Sequence, residues 1–453
     1  MDDLLKAAHA AVKREDYIKS WQLCNAALNA DPDRPEALYL MGTTLREMGN
    51  LGLALHPLRK ALAQEQRQVN LWMTYACTLH DLNKWEEARE ALKVAHKLLP
   101  KDPMPIANIG ATYLQEGNWR EAINHSDQAI AIDPDCHVAR ITRNFGYLSL
   151  GRWTDAWSDA KYLYGKHLPL RVYNPVEIEE PVWDGTKGQT VVVQADQGVG
   201  DILMYSQCLQ QLALDCREVV LECAPRLIRL LSRNFPQITV IGTLKDDRQS
   251  WALERVGTER QIDAHVHISY LGNWYRNRDT DFPRKAYLTP DPKKVEQWKG
   301  ELAKYPKPWV GIAWKGGIQA TQAHIRSMDL SDLAPHVKGT MIDLSYQDNR
   351  LEVARWNIDN RNQVICPDVN TEDYENTFAL IAALDEVVTV TTTVAHVCGA
   401  LGRTARVLVP SVPQWRYAYR CGDGMIWYPE GSVKLIRQNP GETWEHLCRR
   451  AMR

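Results

Sequence analysis

Val191-Val192-Val193-Gln194-Ala195-Asp196-Gln197-Gly198-Val199-Gly200-Asp201-Ile202 sets a β-branched run against a tight turn with two glycines. Apolar residues then follow at helical spacing, at Ile202, Leu203, Tyr205, Leu209 and Leu212. Strand, sharp loop and helix in that order predict the opening unit of a doubly wound α/β domain. Ligands of such folds sit beyond the carboxyl ends of the strands. The loop residues Gln197, Gly198 and Gly200 are therefore expected to face a site, with Asp201 at the start of the helix.

Outward from this unit, further strands are expected at 218–222, 238–241 and 264–268. Pro283, Tyr287-Leu288 and Pro290 mark a crossing into a second half. That half opens with Trp309-Val310-Gly311-Ile312-Ala313-Trp314 and continues through strands at 340–344, 364–365, 386–390 and 405–409. Helical patterns separate the strands, which predicts parallel sheets with ligand loops along one edge. The expected halves are residues 190–300 and 301–453, with a ligand cleft between them.

Residues 1–165 read differently. Tyr113, Gly117, Trp119, Ala122, Ala129 and Pro134 recur one period of 34 residues later as Tyr147, Gly151, Trp153 and Ala156. One period earlier stand Leu79, Asn83, Trp85, Ala88, Ala95 and Pro100, and before them Leu45, Gly49, Leu51, Ala54 and Ala61. A weaker first copy holds Tyr17, Ala27 and Pro32. This is the tetratricopeptide repeat pattern, a helix-turn-helix unit stacked into an α-helical solenoid. Residues 166–189, with Leu168-Pro169-Leu170, Asn174-Pro175 and Trp183-Asp184-Gly185, read as an extended linker.

Bulk properties narrow the function classes. The net charge of -2 over 453 residues gives no field that would gather nucleic acid or anionic lipid. Ten cysteines are scattered without a Cys-x-x-Cys pair, a usage that suits a reducing compartment. The start, Met1-Asp2-Asp3, lacks a signal-peptide pattern. No apolar run approaches the roughly 20 residues that span a bilayer. A cytoplasmic protein is expected.

Several residues can carry chemistry. Asp201 can cap its helix by accepting a backbone N–H, or act as a general base on an attacking hydroxyl. An ionised carboxylate there repels anions, so a phosphate is expected elsewhere. The second half offers the place: strand 386–390 runs into Thr391, Thr392 and Thr393 and a small-residue helix that carries His396. Helix N–H groups and threonine hydroxyls form a neutral anion cradle. The alternative is a capped helix with Thr391 or Thr392 as the cap and His396 as a packing residue.

Lys315, before Gly316-Gly317, and Arg326 can offset charge growing on a leaving diphosphate, or stand as solvated loop charges. Trp415 and Arg416 suit the face of a nucleobase or sugar, or a packing anchor. Asp279-Thr280-Asp281 lies in a polar connector and is expected at the surface. His265 and His267 alternate along one strand without a third ligand at motif spacing, so no metal is expected.

Taken in order, Trp183-Asp184-Gly185, Asp196-Gln197-Gly198-Val199-Gly200-Asp201, Gly311-Ile312-Ala313-Trp314, Arg326-Ser327, Val394-Ala395-His396, Trp415-Arg416 and Trp427-Tyr428-Pro429 resemble one family. It comprises bacterial tetratricopeptide proteins with a heptosyltransferase-like GT-B glycosyltransferase domain. The resemblance implies two Rossmann-like domains, a nucleotide-sugar co-substrate and an inverting transfer without an essential metal or other cofactor. It maps the catalytic base onto Asp201 and the phosphate-side helix onto Thr392, Thr393 and His396. The family often has an acid where this chain has Thr391, and a small hydroxyl residue where it has Lys315. The solenoid is expected to grip a protein acceptor, such as a flagellin or another surface protein. The alternatives are a carbohydrate or lipid-linked acceptor, or a non-catalytic scaffold that keeps the transferase-like fold.

Overall fold

The computed structural model describes residues 2–163, 180–195, 198–242, 261–317, 323–369 and 372–453. Gln197, Asp196 and much of the linker read from sequence lie outside those residues. The chain divides into two compact units, Met1–Tyr147 and Leu148–Arg453.

The first unit is a solenoid of paired helices: Asp2–Lys13 with Tyr17–Ala30, Pro35–Glu47 with Leu51–Gln64, Val69–Asp81 with Trp85–Leu98, and Met104–Glu116 with Trp119–Ile132. The alanines that set the sequence period are the contact points. Ala27, Ala61, Ala95 and Ala129 are fully buried, as are Ala54, Ala88 and Ala122. A methyl side chain at these positions lets neighbouring helix backbones approach closely. Left-handed turns separate the helices of each pair at Glu15 (φ 61°), Gly49 (78°), Asn83 (60°) and Gly117 (81°). Gly151 (71°) continues the series into the second unit. Four of the five are the Gly or Asn that tolerate positive φ.

The second unit holds two parallel sheets. The strands are β1 (Thr190–Gln194), β2 (Glu218–Cys223), β3 (Thr239–Gly242), β4 (Ala264–His267), β5 (Trp309–Ala313), β6 (Thr340–Asp343), β7 (Val364–Ile365), β8 (Glu386–Val390), β9 (Ala405–Val409) and β10 (Val433–Arg437). Their orders are β3-β2-β1-β4 and β10-β9-β8-β5-β6-β7. The central strands β1 and β5 are buried along their whole lengths, because helices cover both faces.

In the first sheet the order turns at β1 and β4, in the second at β5 and β8. Loops after these strands diverge at such turning points and leave a crevice. The loop into Asp201 follows β1; the loops of Lys315 and of Thr391–Thr393 follow β5 and β8.

Two segments pack in ways their sequence did not announce. Helix Trp153–Ala160, which continues the repeat pattern, belongs to the second unit. Trp157 donates its Nε1–H to the Arg276 carbonyl at 2.7 Å, and Trp153 donates to Asp279 Oδ1 at 2.7 Å. A Cβ on Gly272 would lie 2.5 Å from the Trp157 ring, so this contact requires glycine. The described end of the linker is extended and joins the sheet edge, with Trp183 N–H donating to the His265 carbonyl at 2.7 Å. Among the described residues no helix is long and apolar enough to cross a membrane.

Candidate functional site

Helix Val199–Tyr205 begins directly after the β1 loop, and its N-cap is Gly198. Asp201 therefore sits three residues into the helix and is not the cap. Its carboxylate turns toward the second half of the unit, where Arg416 meets it. Arg416 Nε donates to Asp201 Oδ1, and Nη2 forms an ion pair with that carboxylate. The other oxygen, Oδ2, would lie 2.8 Å from a Cβ on Gly198, so the turn is closed against the carboxylate. Arg416 is the second residue of the short helix Trp415–Ala418 and lies over the Trp415 ring, with Cζ 4.8 Å from the centroid. Trp415 is buried, so its ring supports the guanidinium and offers no open stacking face.

Opposite, Thr392 is the N-cap of helix Thr393–Leu401, its hydroxyl accepting from Val394 N–H at 3.2 Å. Thr391 is buried, and its hydroxyl accepts from Arg326 Nε at 3.1 Å. Its carbonyl accepts from Arg326 Nη2. Thr393 begins the helix and is half-buried. Arg326 is itself buried, and burial holds its pKa below the usual guanidinium range. The β5 loop comes within reach of these groups only because residue 316 is glycine. A Cβ there would stand 2.9 Å from the Arg326 carbonyl and 3.3 Å from the Thr392 side chain.

Lys315 is directed elsewhere. Its ammonium is 3.3 Å from Asp329 Oδ1 and 3.5 Å from Glu352 Oε2. Glu352 also accepts from Trp314 Nε1 at 3.0 Å and from Leu330 N–H at 2.9 Å. This carboxylate knot ties the β5 loop to the next helices, and it takes the charge that sequence reasoning assigned to a leaving group.

His396 is a wedge between the halves. Its Nδ1 lies 2.7 Å from the Tyr428 hydroxyl and its Nε2 3.0 Å from the Tyr417 hydroxyl. Burial, together with the positive charges of Arg416 and Arg326, pushes its pKa down to about 3. It is a neutral ring near neutrality and cannot act as a cation toward phosphate. A Cβ on Gly200 would lie 2.9 Å from His396 Cδ2, so the second glycine of the β1 turn is the groove into which this ring packs.

The aromatic hydroxyls are the residues that sequence reasoning missed. Tyr428 was visible in the Trp427-Tyr428-Pro429 motif but without a role. Further contacts join the halves here: Tyr287 N–H donates to the Ala400 carbonyl at 3.1 Å, and Gln207 Nε2 donates to the Trp427 carbonyl. Away from this cluster, Arg233 grips the buried Glu375 in a fork, Nε to Oε1 at 2.8 Å and Nη2 to Oε2 at 3.0 Å.

The other sequence candidates have structural partners. Asp279 is exposed and accepts from Trp153 Nε1 and, at 2.6 Å, from the Tyr419 hydroxyl. Asp281 Oδ2 accepts the backbone N–H groups of Asn277 and Arg278. His267 is buried, its Nδ1 2.8 Å from the Ser269 hydroxyl, and burial lowers its pKa to about 3. Among the described residues no group of three or more His, Cys, Asp or Glu is placed to hold a metal ion.

The cluster thus brings two guanidiniums, Arg326 and Arg416, together with the carboxylate of Asp201 beside a helix N-terminus. Charge in so desolvated a place is costly unless countered, and the Asp201 carboxylate counters part of the charge of these two arginines. Asp201 adds an acceptor for a hydroxyl proton.

The family model for the anaphase-promoting complex, cyclosome, subunit 3 matches residues 15–95, within the solenoid. Protein FlbA of Caulobacter vibrioides is 24% identical over 489 residues, covering 97% of this chain and 81% of its own. A TPR repeat-containing protein of Pseudomonas aeruginosa is 28% identical over 133 residues, 29% of this chain and 22% of its own. A solved thermophilic TPR protein of Thermus thermophilus is 26% identical, covers 38% of this chain and 95% of its own, and superposes with a TM-score of 0.33. With the 34-residue helical period, the matches in sequence identify the N-terminal part of this chain as a tetratricopeptide-repeat solenoid, followed by a region of parallel sheets.

Proposed function

We propose that the chain is a GT-B glycosyltransferase that moves a sugar from a nucleotide-sugar donor to an acceptor hydroxyl. One observation carries the reading: the carboxylate after β1, at the turning point of one sheet, meets Arg416, which follows β9 of the other, and its charge is felt by Arg326 in the segment after β5. In this mechanism the diphosphate of the donor lies against Arg416 and the start of helix Thr393–Leu401, over the buried Arg326. The acceptor oxygen attacks the anomeric carbon from the opposite side, and the Asp201 carboxylate takes its proton. The bond from that carbon to the phosphate oxygen breaks with its electron pair. The two guanidiniums meet the charge that develops on the leaving nucleotide. Inversion follows from a single displacement, and no step requires a metal or other cofactor.

Lys315 and His396 have no part in this scheme, since one is bound to carboxylates and the other is neutral and enclosed. The solenoid recruits a protein acceptor, as stacked repeats present long surfaces for extended chains. Dependence on a nucleotide donor fits a cytoplasmic enzyme.

A second reading is favoured by the Asp201–Arg416 pair itself. A carboxylate held by a guanidinium suits a module that binds a nucleotide without turning it over. The test begins with native mass spectrometry of the purified protein for a co-purifying nucleotide, followed by turnover with donors of that nucleotide. Sugar transfer that falls at least a hundredfold in Asp201→Asn, with nucleotide binding kept, supports the enzyme. Nucleotide binding without turnover across such donors supports the binding module, and no nucleotide binding refutes both.

A further inference from the structure

Helix Trp153–Ala160 keeps the residues of the repeat pattern but lies within the second unit, and two routes of contact lead from it to the Asp201–Arg416 pair. The first route is polar. Asp279 accepts from Trp153 Nε1 on one oxygen, at 2.7 Å, and from the Tyr419 hydroxyl on the other, at 2.6 Å. Each donor thereby fixes the carboxylate that holds the other. The Trp153 and Tyr419 rings also meet edge-on, with centroids 5.3 Å apart. Gly151 leaves the space that the Tyr419 ring fills, since a Cβ there would overlap the ring. Tyr419 directly follows the short helix Trp415–Ala418, whose second residue is Arg416. Within its own half, the Tyr419 carbonyl accepts from Arg437 Nη2 at 3.3 Å.

The second route is apolar. Trp153 packs on Phe282 with centroids 5.0 Å apart, Phe282 stands edge-on to Trp427 at 4.8 Å, and Trp427 meets Tyr205 at 5.2 Å. Tyr205 is the last residue of the helix that carries Asp201. Its ring lies 6.5 Å from that of Trp415, over which Arg416 stands. These rings are buried, and close-packed rings pass on a displacement because no void absorbs it. Both routes start at Trp153, and they end on the two partners of one ion pair. Trp157, one turn further along the same helix, has a different target. It donates to the Arg276 carbonyl and packs against Gly272.

We infer that Trp153 and Tyr419 are positioning residues, through which the helix that closes the repeat pattern sets where Arg416 stands against Asp201. The placement follows from the contacts; its task rests on the glycosyltransferase reading, in which the same helix sets how tightly the cluster holds the diphosphate of the donor.

The experiment follows arginine Nε–H resonances in the full chain, prepared with isotope-labelled arginine. The Arg416 resonance is identified by its loss in Arg416→Lys. Arg233, whose fork on Glu375 bolts the same halves together away from this cluster, supplies the reference. Trp153→Phe keeps a ring beside Phe282 and Tyr419 but removes the donor to Asp279, and Tyr419→Phe removes the other donor. Trp157→Phe removes a bond of the same length from the same helix without touching Asp279. Thermal unfolding verifies that each is folded, and Tyr419→Phe carries the test if Trp153→Phe is not. Trp153→Phe and Tyr419→Phe are expected to shift the Arg416 resonance and leave that of Arg233 in place, and Trp157→Phe to shift neither. In calorimetric titration with inorganic pyrophosphate, the first two are expected to bind about threefold to tenfold more weakly than wild type, and Trp157→Phe within about twofold of it. An Arg416 resonance that stays in place overturns the inference, and so does an equal shift in Trp157→Phe, which reports only a loosened helix. Shifted resonances with unchanged pyrophosphate affinity also overturn the positioning role, because the cluster then binds regardless of where the helix holds Arg416. Shifted resonances in a chain that binds no pyrophosphate even as wild type uphold the placement and refute the functional reading.

Discussion

Replacing His396 by glutamine separates its titration from its packing. In the folded chain its pKa lies at about 3, against 6.5 for the free group. The folded state therefore refuses a proton that the unfolded state accepts. With the folded pKa depressed, the contribution is complete above pH 6.5 and is lost as pH falls through the window from 6.5 toward 3. At pH 5 the unfolded imidazole gains about 2 kcal/mol by protonation relative to pH 7. His267, lowered to about 3 by burial alone, contributes a similar amount.

Urea unfolding of the wild type at pH 7 and pH 5 is thus expected to show a loss of about 4 kcal/mol from the two rings. Carboxylates elsewhere add a background common to all variants. His396→Gln lowers stability at pH 7, because two tyrosine hydroxyls lose their ring partner. That offset is not the test. The loss between pH 7 and pH 5 is expected to shrink by about 2 kcal/mol in the variant. If the variant loses as much as wild type, His396 takes up a proton in the folded state, and the neutral wedge is refuted.

Gly200→Ala places a methyl 2.9 Å from a ring fixed by two hydrogen bonds. The overpacking costs about 1–3 kcal/mol, more than the helix-propensity gain of up to about 1 kcal/mol, so a fall in urea-unfolding free energy is expected and a rise would refute the contact. Glu15 occupies the left-handed turn that Gly, Asn and Gly fill in the next three repeats. Relief of that conformation makes Glu15→Gly stabilising by up to about 1 kcal/mol in thermal unfolding, and a lower midpoint would refute it. Arg233→Ala leaves Glu375 buried without its fork and is expected to cost about 3–5 kcal/mol in urea unfolding. Arg229→Ala, which loses an exposed partner of Asp373, is expected to cost less than about 1 kcal/mol. Equal losses would show that the fork is no bolt.

The fold was legible where one local rule decides the outcome. Strands buried on both faces are short β-branched runs, and β1, β8 and β9 begin and end where those runs do. The solenoid was legible because each repeat buries its alanines in the same contacts, so one constraint is written several times over. β10 was not foreseen. Among the described residues it pairs with β9 alone, at the edge of its sheet, and Val433-Lys434-Leu435-Ile436-Arg437 carries charges that an edge strand can expose. Helix Trp153–Ala160 keeps the repeat's residues, but Trp153 and Trp157 donate to groups more than a hundred positions away. Periodicity contains no information about those partners.

The site divides along the same line. Asp201, Arg416, Arg326 and the threonines were each visible as residues of the right chemistry on loops after strands. What each does depends on its partner, and the partners are distant in sequence. Glu352 removes Lys315 from the cationic set, and burial beside two arginines makes His396 a neutral spacer whose ring nitrogens meet two tyrosine hydroxyls. Arg416, read as a stacking residue, becomes the counterion of a carboxylate 215 positions earlier. A loop charge in sequence is a capacity, and the fold decides where it is committed. In this molecule the fold commits Lys315 to structure and Arg233 to a bolt. It pairs Arg416 with Asp201, within electrostatic reach of a second, buried arginine. That is why the chemistry is sought at the Asp201–Arg416 pair.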